Sequence, residues 1–171
     1  VVILFVCASR MFPKKGIDVL IRAIGAIKDS VPALRVIIAG YGPELPALKN
    51  LSAQLGLDKM LEFTGHIPRE RMEEVFAPAW AQIVPSSWEE PFGLVVAEAQ
   101  MRGTATIVSN VGGPTEIIEE GLTGRRFAVG DAADLARVIR EVIADRDAAD
   151  RMGRAGRDRA LRYFREKGVA P

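Results

Sequence analysis

The sequence predicts an α/β domain, a doubly wound, mostly parallel sheet of six strands with helices on both faces. Three observations predict it. Apolar runs of strand length alternate with longer segments of helical periodicity from end to end. The first of those runs is continuous, not alternating, as in a strand covered on both faces. Hydrophobic residues make up 49% of the 171 residues and aromatics only 6%, so the core must be built from Val, Ile, Leu and Ala.

Residues 1–7 (VVILFVC) form the first strand. A helix follows over 14–30, where Val19, Leu20, Ala23, Ile24 and Ile27 recur at helical spacing before Pro32. Residues 34–39 (LRVIIA) are the second strand, ended by Gly40. Residues 43–54 are helical, with Pro43 suited to a first turn. A weaker third strand covers 60–64 and a short helix 68–77. Residues 81–85 (AQIVP) make the fourth strand, 92–101 a helix and 105–109 (ATIVS) the fifth strand. A short helix over 114–120 is closed by Gly121, and 125–129 is the sixth strand. Two helices finish the chain, 131–145 with an Asp at its start and an arginine-rich one over 147–164. No linker or repeat interrupts this alternation, so one domain is expected, with right-handed crossovers.

Composition narrows the function. Lys and Arg number 23 against 22 Asp and Glu, a balance that does not fit a dedicated nucleic-acid binder. The single cysteine, Cys7, excludes a disulfide scaffold, and the single histidine, His66, a multi-histidine metal centre. Residues 1–8 lack a basic leader, and no apolar run reaches a membrane-spanning length. A cytoplasmic protein is expected, with the inner membrane face as an alternative. The first strand reads as trimmed at its front, as in a piece of something longer.

In a sheet of this kind ligands bind outside the carboxyl ends of the strands, which directs attention to the loops at 8–15, 40–43, 65–68, 86–91 and 110–114. The segment PSSWEEPFGLVVAEA (85–99) is the richest. The backbone N–H groups of Phe92, Gly93 and Leu94 stand unpaired at a helix start and favour an anion. Glu98, the only charge in 92–101, is costly to bury alone and should face a polar ligand, such as ribose hydroxyls, or a buried cation, the plain alternative being a carboxylate on the helix surface. Glu90 in the loop can accept from sugar hydroxyls or cap the helix that follows. After the first strand, Arg10 and Lys15 flank Pro13. Two cations at a strand end can neutralise a diphosphate, Arg as a fork and Lys as a point charge. As an isolated pair they would be solvated surface charges, and the shared rim is what argues otherwise. Gly40-Tyr41-Gly42-Pro43 opens a helix after a strand but lacks the third glycine of a dinucleotide site. Gly112-Gly113-Pro114 can admit a ligand close to the backbone or simply turn the chain. Trp88 is placed to stack on a base, while Trp80 reads as core. The arginine-rich tail reads as a solvated helix.

Together these segments resemble the C-terminal, nucleotide-sugar-binding domain of GT-B glycosyltransferases, specifically the retaining family GT4, group 1. The residues that carry the likeness are Arg10…Lys15-Gly16, Gly40-x-Gly42-Pro43, Glu90-Pro91-Phe92-Gly93-Leu94…Glu98-Ala99, Gly112-Gly113…Glu116 and Gly121-x-Thr123-Gly124. Glu90 and Glu98 have the spacing of that family's E-x7-E signature. The likeness spans essentially the whole chain and departs from the usual pattern at Ser9 and Tyr41. It implies the Rossmann-like half of a GT-B fold whose N-terminal, acceptor-binding domain lies outside this chain. It implies a UDP-, GDP- or ADP-sugar donor, no required metal, retention at the anomeric carbon, and peripheral membrane association as an option for the parent enzyme. By the resemblance Arg10 and Lys15 hold the diphosphate, and Glu98 binds the ribose. Phe92, Gly93 and Leu94 offer amides to phosphate and sugar. Glu90 contacts the transferred sugar, Gly40 and Gly42 line the donor site, and the base lies near His66 and Ile67. An epimerase or phosphorylase of the same fold, and a non-enzymatic nucleotide-binding module, are the alternatives.

Overall fold

A computed structural model describes residues 2–88 and 93–168. Its sheet has six strands, all parallel, in the order β3-β2-β1-β4-β5-β6. The strands are β1 Ile3–Ala8, β2 Leu34–Ala39, β3 Leu61–Gly65, β4 Ala81–Val84, β5 Ala105–Ser109 and β6 Gly124–Phe127. The order reverses between β1 and β4, the switch point at whose carboxyl ends ligands bind in sheets of this kind. The doubly wound parallel sheet expected from the sequence is therefore present, fully parallel among the described residues.

The helices are α1 Ile17–Ile27, α2 Leu45–Gln54, α3 Arg69–Phe76, α4 Leu94–Arg102, α5 Gly113–Ile117, α6 Ala132–Ile143 and α7 Arg146–Glu166. Alternating residues of β1 feed opposite faces of the sheet. Phe5 and Cys7 join the large core under α1 and α6, with Leu20, Ile24, Val36, Ile38, Leu135 and Ile139. Val6 points the other way, into a second cluster with Phe76 of α3. A third cluster joins Val84 and Val108 of the sheet to Val96 of α4 and Ile118. Both faces of the sheet are covered, which is why β1 needs a continuous apolar run.

Several boundaries differ from the sequence reading for local reasons. The helix expected over 14–30 begins at Ile17, because Pro13–Lys15 forms a separate 3-10 turn ended by Gly16 at φ 67°. The helix expected from 43 begins at Leu45. The helix expected over 114–120 is five residues long and ends at Ile117, where Ile118 turns extended. Residue 120 instead forms an isolated bridge with Gly124, where β6 begins. Asp131 and Asp145 cap α6 and α7, accepting from the N–H groups of Asp134 at 2.9 Å and Ala148 at 3.0 Å. Among the described residues no helix is long and apolar enough to cross a membrane.

Candidate functional site

The loops at the carboxyl ends of the strands are joined into one platform by hydrogen bonds, most of them between backbone atoms. The Gly40 N–H donates to Gly65 O at 2.8 Å, tying β2 to β3. The loop after β1 holds the loop after β2 through Ser9 N–H to Ala39 O and Met11 N–H to Tyr41 O, both 3.0 Å. Glu44 N–H returns to Met11 O at 3.0 Å. Across the switch point, Lys14 O accepts from Ser87 N–H at 2.9 Å and from the hydroxyls of Ser86 and Ser87 at 3.2 Å each. The Ser109 hydroxyl donates to Ser86 O and carries the belt on to β5.

Two glycine segments make this stitching sterically possible. A Cβ on Gly40 would lie 1.9 Å from Ser9 O, and one on Gly42 would lie 2.7 Å from both N and O of Met11. Their place in the rim is thus accounted for by loop packing, whatever they also do toward a ligand. Gly16 lies at the switch point, where an added Cβ would stand 2.0 Å from Pro85 O.

Arg10 and Lys15 both lie on the loop after β1. Arg10 is exposed with its guanidinium 5.9 Å from the Phe12 ring centre. Lys15 is half-buried, its Nζ 5.8 Å from the Trp88 ring, and the exposed Lys14 reaches the same ring at 5.0 Å. Trp88 thus gathers two lysines of the β1 loop against one ring. Glu90 and Phe92 lie outside the described residues. Gly93 caps α4 in the left-handed region at φ 59°, and Leu94 opens the helix, exposed. The first turn of α4 therefore presents its backbone N–H groups toward the rim with the positive end of the helix dipole.

Between α3 and α4 runs an open groove of about 570 Å³. His66 and Ile67, on the loop after β3, close one end, and Leu94, Ala97 and Glu98 line the α4 wall. Glu98 is exposed and faces Arg69 across the mouth, 3.9 Å away. Its partner is therefore a solvated cation and not a buried one, so this ion pair is weak and readily displaced. His66 is exposed and meets Tyr41 edge to face at a 6.3 Å ring separation, while Ile67 is buried.

The groove also contains residues that sequence reasoning missed. Arg102, one helical turn beyond Glu98, is buried at its side chain. Its Nε donates to Glu73 at 3.1 Å and its Nη1 to the buried Gln82 at 3.0 Å. The guanidinium also lies 5.3 Å from the Phe76 ring. The only forewarning was helical spacing, which puts positions 94, 98 and 102 on one face. Nothing in the sequence says that α3 is the facing wall. Among the described residues no three of His, Cys, Asp and Glu converge as metal ligands would. Cys7 is fully buried, and burial pushes its thiol up to about 12, which leaves it no part in chemistry at the rim.

Against known proteins, residues 2–159 match the family described as Glycosyl transferases group 1. The chain belongs to the group 1 glycosyltransferases. It is 38% identical over 152 residues to a D-inositol 3-phosphate glycosyltransferase of Nocardia farcinica, covering 85% of this chain and 34% of that one. It is 33% identical over 162 residues to a GDP-mannose-dependent alpha-(1-6)-phosphatidylinositol monomannoside mannosyltransferase of Mycolicibacterium smegmatis, covering 91% and 42%. The crystal structure of Anabaena Alr3699/HepE in complex with UDP-glucose superposes with a TM-score of 0.88 at 25% identity, over 95% of this chain and 45% of that one. The GT-B-type fold implied by the sequence resemblance is thus shown. The chain spans about a third of the length of the curated relatives it matches.

Proposed function

We propose that this domain is the donor-binding half of a retaining glycosyltransferase that moves a sugar from a nucleoside diphosphate to an acceptor hydroxyl. One observation carries the reading. The α3–α4 groove, with Glu98 at its mouth and His66 and Ile67 at its end, opens onto the same rim as the first turn of α4 and the Arg10–Lys15 loop. A carboxylate, an amide-lined helix start and two cations on one platform match ribose, phosphates and diphosphate charge in turn. The relatives' names support a nucleotide-sugar donor, and they include both a GDP- and a UDP-linked sugar.

Each residue has a task in this reading. The base lies against His66 and Ile67, Glu98 accepts from the ribose hydroxyls, and the amides at Gly93 and Leu94 hold phosphate. Arg10 and Lys15 face the diphosphate. Glu90 and Phe92 are assigned by the family signature to the sugar and its phosphate. When the anomeric C–O bond breaks, its electron pair passes to the terminal phosphate oxygen. Fixed cations there stabilise the developing charge in the transition state, which serves in place of a metal ion. The acceptor is held by the part of the enzyme outside this chain.

The test is ligand-dependent thermal unfolding with UDP, GDP and ADP, in the wild type and in Arg10→Ala, Lys15→Ala and Glu98→Gln. A ligand at a hundred times its Kd stabilises by about 2.7 kcal/mol, a shift of roughly 5–11 °C for a domain of this size. One diphosphate should shift the wild type selectively. Each cation substitution should weaken that binding by about 1–3 kcal/mol and spare the nucleoside. Equal loss for diphosphate and nucleoside in the cation variants, or an unaltered ribonucleotide affinity in Glu98→Gln, would remove those residues from the site.

A further inference from the structure

The short helix α5 has no means of holding its own position. Five residues form little more than one turn, which is not stable alone in water, and its last carbonyls lack partners within the helix. The structure supplies those partners from elsewhere. Arg126 of β6 donates from Nη2 to Thr115 O at 2.6 Å and to Ile118 O at 2.8 Å. Gln100, buried on α4, donates to Ile117 O at 3.3 Å. Arg126 is itself immobilised. Its backbone pairs with Val108 inside the sheet, and its N–H donates to Glu120 at 2.7 Å. Charged donors of this kind make the stronger hydrogen bonds.

What α5 touches gives the clamp its meaning. The space a side chain would fill at Gly93 is occupied by α5. An added Cβ would meet Ile117 Cδ1 at 3.0 Å, Pro114 Cγ at 3.1 Å and Pro114 Cα at 3.2 Å. Gly93 is the left-handed residue from which α4 starts. A rigid path therefore runs from the sheet through Arg126 to α5, and from α5 to the backbone that opens α4.

We infer that Arg126 is a positioning residue for the phosphate side of the donor site, holding α5 against Gly93 so that the first amides of α4 stay aimed at the rim. The inference rests on the donor-site reading above. Arg126 touches no ligand in this assignment and acts only through α5.

The experiment measures binding of UDP, GDP and ADP, and of the matching nucleosides, to this chain by titration calorimetry and ligand-detected NMR. The variants are Arg126→Leu, which removes the donors, and Arg126→Lys, which keeps a cation. Arg126→Leu should weaken the preferred diphosphate about tenfold or more, since small misplacements of positioned groups are costly. Nucleoside affinity should stay within about twofold, because His66 and Ile67 lie on the loop after β3 and Glu98 sits a full turn into α4, beyond the amides that α5 steers, and Arg126→Lys should recover part of the loss. A purely structural role would lower both affinities alike and would overturn the inference, as would no change in either. Should Arg126→Leu fail to fold, Ile117→Ala thins the same contact with Gly93 while leaving Arg126 in place. It must show the same split between diphosphate and nucleoside, and an even loss overturns the inference. A wild-type chain that binds no diphosphate refutes the donor-site reading and the inference with it. Binding that survives with an even loss refutes the inference alone.

Discussion

Gly16 and Gly65 offer a controlled comparison at the rim. Both sit in the left-handed region, at φ 67° and 72°, but an added Cβ meets Pro85 O at 2.0 Å in the first case and nothing within 4 Å in the second. Alanine at either position bears the left-handed strain of about 1–2 kcal/mol. The reduced freedom of the unfolded chain is the same for both and cancels in the difference. Only at Gly16 must the loop also retreat, by about 1 Å, to bring the contact out to the 3.0 Å floor for such contacts. That retreat carries the two serine hydroxyls, already 3.2 Å from Lys14 O, out of hydrogen-bond range. At about 0.5–1.5 kcal/mol each, their loss adds roughly 1–3 kcal/mol. Gly16→Ala should therefore cost about 2–5 kcal/mol against about 1–2 for Gly65→Ala. Urea unfolding followed by circular dichroism reads this directly. With a slope near 2 kcal/mol/M, the two midpoints should differ by about 0.5–1.5 M at unchanged slope. Equal midpoints would show that the β1 and β4 loops yield without cost, and the account of a tied switch point would fall.

Two further outcomes are expected. The Cys7 thiol, buried and pushed up to about 12, should resist a thiol-specific disulfide reagent at pH 8 and react stoichiometrically once urea unfolds the chain. Rapid labelling without denaturant would contradict the packing of β1. Asp134 sits below its ordinary 3.8 because the Ala128 N–H and then Arg137 favour its charged form, and Glu141 sits below 4.5 through Arg125 and Arg137. Carboxylates held down in the folded state stabilise above their ordinary values and lose that contribution as pH falls through the lower folded ones. Both groups are solvent-screened, so each is worth about 0–1 kcal/mol. Asp134→Asn should flatten the acid limb of a stability-against-pH curve below about pH 4, and an unchanged limb would remove the Ala128 and Arg137 contacts from the balance.

Much of the fold was legible because its signals are local. Residues 34–39 and 105–109 were read as strands at their observed bounds. Each is a mostly apolar run with a glycine close by, Gly40 after the first and Gly103 before the second. The start of α1 was misjudged because Lys14 and Lys15 suit a helix by propensity. Gly16, pressed against Pro85, breaks the segment for a tertiary reason that periodicity does not carry. Among site residues, Glu98 stood out as the one charge in 92–101, although it proves exposed and so is not the costly buried carboxylate that drew attention to it. Arg102 and Glu73 did not, since they are 29 positions apart and meet only once α3 and α4 lie on the same face of the sheet. Gly40 and Gly42 were recognised as meaningful, but their closest neighbours proved to be Ser9 and Met11.

The belt across the rim bears on how such a domain can diversify. Its ties are made by main-chain N–H and C=O groups at residues 9, 11, 14, 39, 40, 41, 44, 65, 86 and 87, with serine hydroxyls at 86, 87 and 109. The side chains of Arg10, Tyr41, His66 and Trp88 project from that frame and make none of its hydrogen bonds, although Tyr41 meets His66 and Trp88 meets Lys14 and Lys15 through ring contacts. If the proposed donor site is right, substitutions that retune its ligand can accumulate at these four positions while the main-chain frame keeps its shape. In that proposal recognition and architecture draw largely on different atoms of the same short loops, which lets one drift while the other is inherited intact.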